Sequence, residues 1–263
     1  MSDELLPPVV SIAAGEFVMG DEDGDEDERP AHPAYVDEFC LGVHPVTNDE
    51  YAGFVRDTNH PSPAIRTLPL VASGSLETDF RALAAAYSWN NGTPPPGRGP
   101  HPVTLVTYED ATGYCGWLAA RTSMPIRLPT EAEWERAVRG GVDGLRYPWG
   151  DTMDPSRAHV LRSAAAKAES GTAPVCRYPA NGFDLHDMAG NVWEWVSDWY
   201  APRYYSRAQF LNPRGPEVGV MRIVRGGSWV NADDRYLRCA YRHKVPPDSY
   251  AYSIGFRIAY SAK

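Results

Sequence analysis

Three times in this chain a threonine stands three residues before an acid, at the head of an apolar run: Thr47 and Glu50, Thr107 and Asp110, Thr130 and Glu133. Each pair reads as a capping box, in which the threonine oxygen and the acid satisfy each other's exposed amide groups at a helix start. The first helix turns Tyr51, Phe54 and Val55 inward. The second carries Ala111, Tyr114, Cys115, Leu118 and Ala119 on one helical face, and the third carries Trp134, Ala137 and Val138 before Gly140-Gly141 stops it. Between these helices lie segments crowded with the chain's 23 glycines and 24 prolines, which argues for a loop-heavy fold instead of a helix bundle. Pro8 to Met19 and Tyr35 to His44 read as strands, whereas Asn59 to Pro102 reads as an irregular wrapping segment.

The stretch Arg225 to Arg257 concentrates the polar and aromatic chemistry. It opens on Arg225-Gly226-Gly227-Ser228 and closes on Gly255-Phe256-Arg257. Leu237 to Arg242 and Tyr250 to Ile254 alternate and read as strands, with Asn231 to Arg235 and His243 to Ser249 as loops. A rigid scaffold presenting such loops is a common way to build a site; the plainer alternative is a terminal sheet with solvated loops. Upstream, Asp187-Met188-Ala189-Gly190-Asn191-Val192-Trp193-Glu194-Trp195 packs tryptophans beside acids, so the rings must be buried with their indole N–H groups paired.

Asp21 to Glu28 is the densest run of charge. Its glycine falls at the fourth position instead of the sixth that an EF-hand loop needs, so it reads as a solvated acidic loop. The net charge of −9 argues against nucleic acid as a partner. No secretion-signal pattern or membrane-length apolar span occurs, which makes a cytoplasmic, non-membrane protein the expectation. The four cysteines, Cys40, Cys115, Cys176 and Cys239, are scattered, with no zinc-type pairing, and are expected to be buried reduced thiols.

Taken in order, GEFVMG (Gly15–Gly20), HPVTNDEY (His44–Tyr51), HPVTLV (His101–Val106), RLPTEAEWERAVRGG (Arg127–Gly141), YPWGD (Tyr147–Asp151), NGFDLHDMAGNVWEW (Asn181–Trp195), RGGSW (Arg225–Trp229) and GFR (Gly255–Arg257) resemble the formylglycine-generating enzyme, or sulfatase-modifying factor, family. The resemblance covers nearly the whole chain. It implies one compact α+β domain over residues 1–263, with a core from 8 to 260, related to C-type lectins and low in regular secondary structure.

Active members of that family oxidise a sulfatase cysteine with copper held by two cysteines after the RGGS turn. Soft thiolates suit Cu(I). Here no cysteine lies between Ser228 and Arg238; the corresponding positions are Asn231 and Asp234, both hard oxygen donors. Copper chemistry is therefore not expected. The resemblance also implies a structural calcium held by Asp187 and Glu194 side chains and the Gly190 and Val192 carbonyls, the alternative being a capped acidic turn with no ion. At the family's other calcium site the matching residues are His159 and Lys167, and that site is expected to be empty.

Three functions stay open on this reading. The first is a ligand or protein-partner binder acting through Trp229, Asn231, Asp234, Arg238, Tyr241, Arg242 and His243. The second is an oxidoreductase using another metal such as iron, although the seven histidines are dispersed and form no facial-triad pattern. The third is an inactive accessory subunit. Oligomeric state and ligand identity are not readable from these residues.

Overall fold

The structure is a computed structural model and describes residues 6–66, 77–161 and 171–261. All three capping boxes form. Thr47, Thr107 and Thr130 each accept a hydrogen bond from the amide of the acid three residues on, and each acid accepts one back from the threonine amide. They open helices α1 (Asn48–Thr58), α3 (Tyr108–Thr122) and α4 (Glu131–Val138). A further helix, α2 (Glu77–Ala84), breaks the segment read as irregular and buries Phe80 and Ala84.

The strand expectations need correction in detail. Pro8 to Met19 divides into β1 (Val9–Ile12) and β2 (Gly15–Met19), and Tyr35 to His44 into β3 (His32–Val36) and β4 (Phe39–Gly42). The divided halves join different sheets. β2 pairs antiparallel with β3, whereas β4 lies between β1 and β9 (Ala259–Ser261). The central sheet holds β5 (Trp193–Trp199), β6 (Arg222–Arg225), β7 (His243–Val245) and β8 (Ile254–Phe256) in the order β7-β6-β5-β8, with β5 and β8 parallel.

Both faces of that central sheet are covered, which accounts for the Trp-Glu-Trp-Val run. Trp195 and Val224 point into a core shared with Tyr51, Tyr114 and Phe256, while Val196 and Ile223 join a second core around Trp134, Ile12 and Phe39. The Trp195 indole N–H reaches the Val106 carbonyl at 3.2 Å. Stacking of the Arg222 guanidinium 3.5 Å above Trp199 covers the third ring.

Leu237 to Arg242 is not a strand. A 3-10 turn over Asp234–Leu237 leads into irregular backbone, and the strand β7 starts at His243, within the piece read as loop. The apparent alternation misled because Arg238 and Arg242 are as buried as Leu237 and Cys239. Likewise β8 begins only at Ile254. Of the four free cysteines, Cys115 and Cys239 are buried, Cys40 is half-buried and Cys176 is exposed, so the expectation of buried thiols fails at Cys176.

Candidate functional site

The RGGS turn is anchored from below by Arg225. Its fully buried guanidinium donates to Glu131 at 3.2 Å and Glu135 at 2.7 Å on α4, and to the Cys239 and Ala240 carbonyls at 2.7 and 3.0 Å. Gly227 takes a φ of +73°, and a Cβ there would lie 2.7 Å from the Leu237 side chain and 2.9 Å from the Tyr236 carbonyl. Asn231 closes the turn, its amide oxygen accepting from the Ser228 amide at 2.7 Å and the Ser228 hydroxyl at 3.0 Å.

Beyond this turn the predicted contact residues separate into two sets. Arg238 and Arg242 face inward. Arg238 donates to Glu28 at 2.6 Å and lies 3.3 Å from Asp25, while Arg242 forks onto Glu131 at 2.8 and 3.0 Å and reaches the Asp27 carbonyl. Buried guanidinium groups so engaged hold the fold, which revises the expectation that they face a ligand. The acidic run is corrected by the same contacts: Glu28 is fully buried and Asp27 is bonded by Tyr200 and Lys244, so the run is clasped to the C-terminal segment.

In the second set, Tyr241 and His243 join Trp193 and Tyr236 in an aromatic face whose inner rings, Trp193 and Tyr241, are buried and whose outer rings, Tyr236 and His243, are half-buried. His243 stacks on Trp193 with centroids 4.9 Å apart, and Tyr236 and Tyr241 each lie 6.0 Å from the same indole. Tyr236 meets Tyr241 edge-on at 5.1 Å. Trp229 belongs to a neighbouring group, 6.4 Å from Tyr87 and 5.8 Å from Tyr252. Burial, and then the Lys244 charge, push the half-buried His243 imidazole down to about 4, so it is neutral at pH 7. Asp234 begins the 3-10 turn that carries Tyr236. Tyr87, Trp193, Tyr236 and Tyr252 were absent from the predicted contacts. Trp193 stood in a recognised motif, but nothing in its spacing indicated that it meets residues more than forty positions on.

The Asp187–Glu194 turn is curled by left-handed backbone at Asp187, Gly190 and Asn191. A Cβ on Gly190 would sit 2.6 Å from the His159 carbonyl. The Asp187 carboxylate is buried, accepting from the Cys176 amide at 2.8 Å and the Asn191 amide group at 3.4 Å; burial raises its pKa. Such a carboxylate fits a hard cation. Glu194 fits less well: Arg257 donates to both its oxygens at 2.7 Å and the Trp134 indole adds 2.8 Å, so a cation would compete with a guanidinium. His159 bonds the Gly171 carbonyl at 2.8 Å, and Lys167 lies outside the described residues. Among the described residues no three His, Cys, Asp or Glu side chains converge as a metal set, and no helix is long and apolar enough to cross a membrane.

The glycine-opened turn, the capped α4 beneath it and the tryptophan-rich β5 beside it are the marks of one protein class. The chain matches the sulfatase-modifying factor enzyme 1-like domain over residues 2–262 and belongs to that family. It is 37% identical to the formylglycine-generating enzyme of Streptomyces coelicolor, covering 96% of this chain and 89% of that one. It is also 38% identical to the serine/threonine-protein kinase pkn1 of Chlamydia caviae; there the match takes in 98% of this chain but spans only 39% of the relative's length. The solved structure of PvdO from Pseudomonas aeruginosa superposes with a TM-score of 0.80 at 25% identity, over 99% of this chain and 97% of that one.

Proposed function

We propose that this protein is a binding member of its family, holding a ligand or protein partner at the aromatic face of Trp193, Tyr236, Tyr241 and His243 with Trp229 and Asn231 beside it, and that it does not oxidise thiols with copper. One observation carries this reading: no thiol lies between Ser228 and Arg238, and the amide oxygen at 231 is already bonded to Ser228. Asn231 and Asp234 offer hard donors that do not fit Cu(I), so no copper step is drawn through them. Cys239 does not replace the lost pair. It is buried, and desolvation pushes its thiol up to about 12, which keeps it protonated. Aromatic residues are among those that dominate binding hot spots.

A structural calcium at the Asp187 turn is part of the same proposal, and the support for it is the buried Asp187 carboxylate, a hard oxygen donor. That turn is bonded directly to the binding loop, because the Gly226 carbonyl accepts from the Gly190 amide at 2.9 Å and the Asn191 carbonyl from the Trp229 amide at 3.0 Å. Calcium there would order the loop without touching the ligand.

The test is metal analysis of purified protein for copper, iron and calcium, together with a mass-spectrometric assay on a cysteine-bearing sulfatase peptide. Calcium without copper, and an unmodified peptide, are the expected results. Conversion of the peptide thiol to an aldehyde with stoichiometric copper bound would overturn the reading, and stoichiometric iron would replace it with an oxidoreductase.

A further inference from the structure

Asparagine followed by glycine occurs twice in this chain, at Asn91-Gly92 and Asn181-Gly182. The pair is chemically special because glycine has no side chain to shield its backbone nitrogen, which can then attack the side-chain amide of the asparagine before it. The attack closes a five-membered ring, so it needs the asparagine free to turn its Cγ towards that nitrogen.

At Asn181 that rotation is blocked. Its Nδ2 donates to the Ala137 and Val138 carbonyls at 2.7 and 3.2 Å, and its Oδ1 accepts from the Phe183 and Leu185 amides at 3.0 and 3.2 Å. Gly182 is wedged against Gly140, whose carbonyl oxygen would lie 2.3 Å from an added Cβ. Asn91 is the opposite case. It stands exposed in a two-residue turn closed by Asn90 and Thr93, which exchange backbone hydrogen bonds at 3.0 Å in each direction. Asn91 and Gly92 take φ of +49° and +78°, the left-handed pair that favours this dipeptide in tight hairpins. Among the described residues no protein group bonds the Asn91 side chain or the Gly92 amide. The nearest atom to a Cβ on Gly92 would be Val55 Cγ1, at 3.9 Å.

We propose that Asn91 is a site of spontaneous deamidation, and that the fold protects Asn181 from the same reaction. The Gly92 nitrogen loses its proton and bonds to Asn91 Cγ, the Cγ–Nδ2 bond breaks, and Nδ2 leaves as ammonia with that proton. The cyclic imide so formed is opened by water, the one co-reactant. Hydrolysis at the side-chain carbonyl gives aspartate; hydrolysis at the main-chain carbonyl gives isoaspartate, whose backbone runs through the former side chain. Nothing is oxidised or reduced. Either product adds a negative charge to a turn, Asn90 to Thr93, that has none. Isoaspartate also lengthens the turn by one carbon, so Asn90 and Thr93 lose their paired register.

Peptide mapping by mass spectrometry tests this, on folded protein incubated in heavy-oxygen water at mildly alkaline pH and digested in acid. The Asn91 peptide is expected to lose ammonia, gain one heavy oxygen and split into aspartate and isoaspartate forms. It should convert at least about tenfold faster than the Asn181 peptide, a modest difference in barrier for the hydrogen bonds that Asn181 must break. In urea-unfolded protein the two should convert at similar rates, which separates the effect of the fold from that of the sequence. An Asn91 peptide still unmodified in the folded protein once the unfolded chain has converted overturns the proposal. So does an Asn181 peptide that keeps pace with it, or a product without heavy oxygen. A difference that persists in urea also overturns it, because the fold would then not be the cause. No readout involves the binding face, so this inference and the binding reading fail separately.

Discussion

Arg257 grips Glu194 by both carboxylate oxygens, its Nε and Nη2 each donating at 2.7 Å with neither side chain exposed to solvent. The remaining guanidinium donors reach the carbonyls of Gly42 at 2.8 Å and His186 at 3.0 Å, so one residue ties β5, the end of β4 and the 181–187 segment together. Arg257→Met leaves a buried carboxylate with only the Trp134 N–H, and is expected to destabilise the protein by about 3–5 kcal/mol in urea unfolding. Pairing it with Glu194→Leu should recover part of that loss. An unchanged midpoint for the single variant would show that the pair contributes nothing.

Gly227→Ala tests the turn itself. The left-handed backbone and the 2.7 Å approach to Leu237 leave no room for a methyl group. The substitution is expected to cost roughly 1–3 kcal/mol and to shift Tyr236, the first ring of the aromatic face. Near-UV circular dichroism should change along with the unfolding midpoint. Gly97→Ala is a control for backbone strain alone, because its φ of +76° is similar while no atom lies within 4 Å of its added carbon.

Much of this is legible in the sequence. The three helix starts depend on contacts three residues apart, and all three formed. The glycine pair at 226–227 was likewise visible as a special backbone. What escaped was long-range: Arg238 and Glu28 are 210 residues apart, and Arg242 and Glu131 are 111 apart. Without those partners the two arginines resemble surface contacts, and the acidic run resembles a solvated loop. The aromatic face escaped for the same reason, since Trp193 meets His243 only through pairing of β5, β6 and β7.

Asp198 predicts a pH dependence of stability. It is buried, and desolvation followed by repulsion from Glu131 raises its carboxyl to about 7 from an ordinary 3.8. The folded state therefore binds this proton more tightly than the unfolded state. Its contribution is complete below about pH 4 and is lost as pH rises through about 7, at a slope on the order of 1 kcal/mol per pH unit. Asp198→Asn should flatten that part of the curve in urea titrations at several pH values. A wild-type curve rising across the same interval would contradict the assignment unless other carboxylates outweigh it, and the variant isolates the difference.

Calcium at the Asp187 turn predicts a chelator effect. At a hundredfold excess over its dissociation constant, bound calcium should add roughly 3 kcal/mol, and EGTA should remove it in calorimetry. Asp187→Asn should abolish the calcium-dependent part. Without the ion it should be neutral or mildly stabilising, because a buried carboxylate is gone. A melting temperature indifferent to calcium in the wild type leaves the turn as a capped acidic loop.

The spacing of these ion pairs along the chain has a consequence for synthesis. Glu28, Glu131 and Glu194 leave the ribosome well before Arg238, Arg242 and Arg257, the cations that neutralise them. Until those cations emerge, the ionised carboxylates have no partner to be buried with and are expected to stay hydrated. Folding is expected to finish in one late collapse, and a prematurely terminated product is expected to stay open, exposed to proteases and chaperones instead of persisting as a half-built domain.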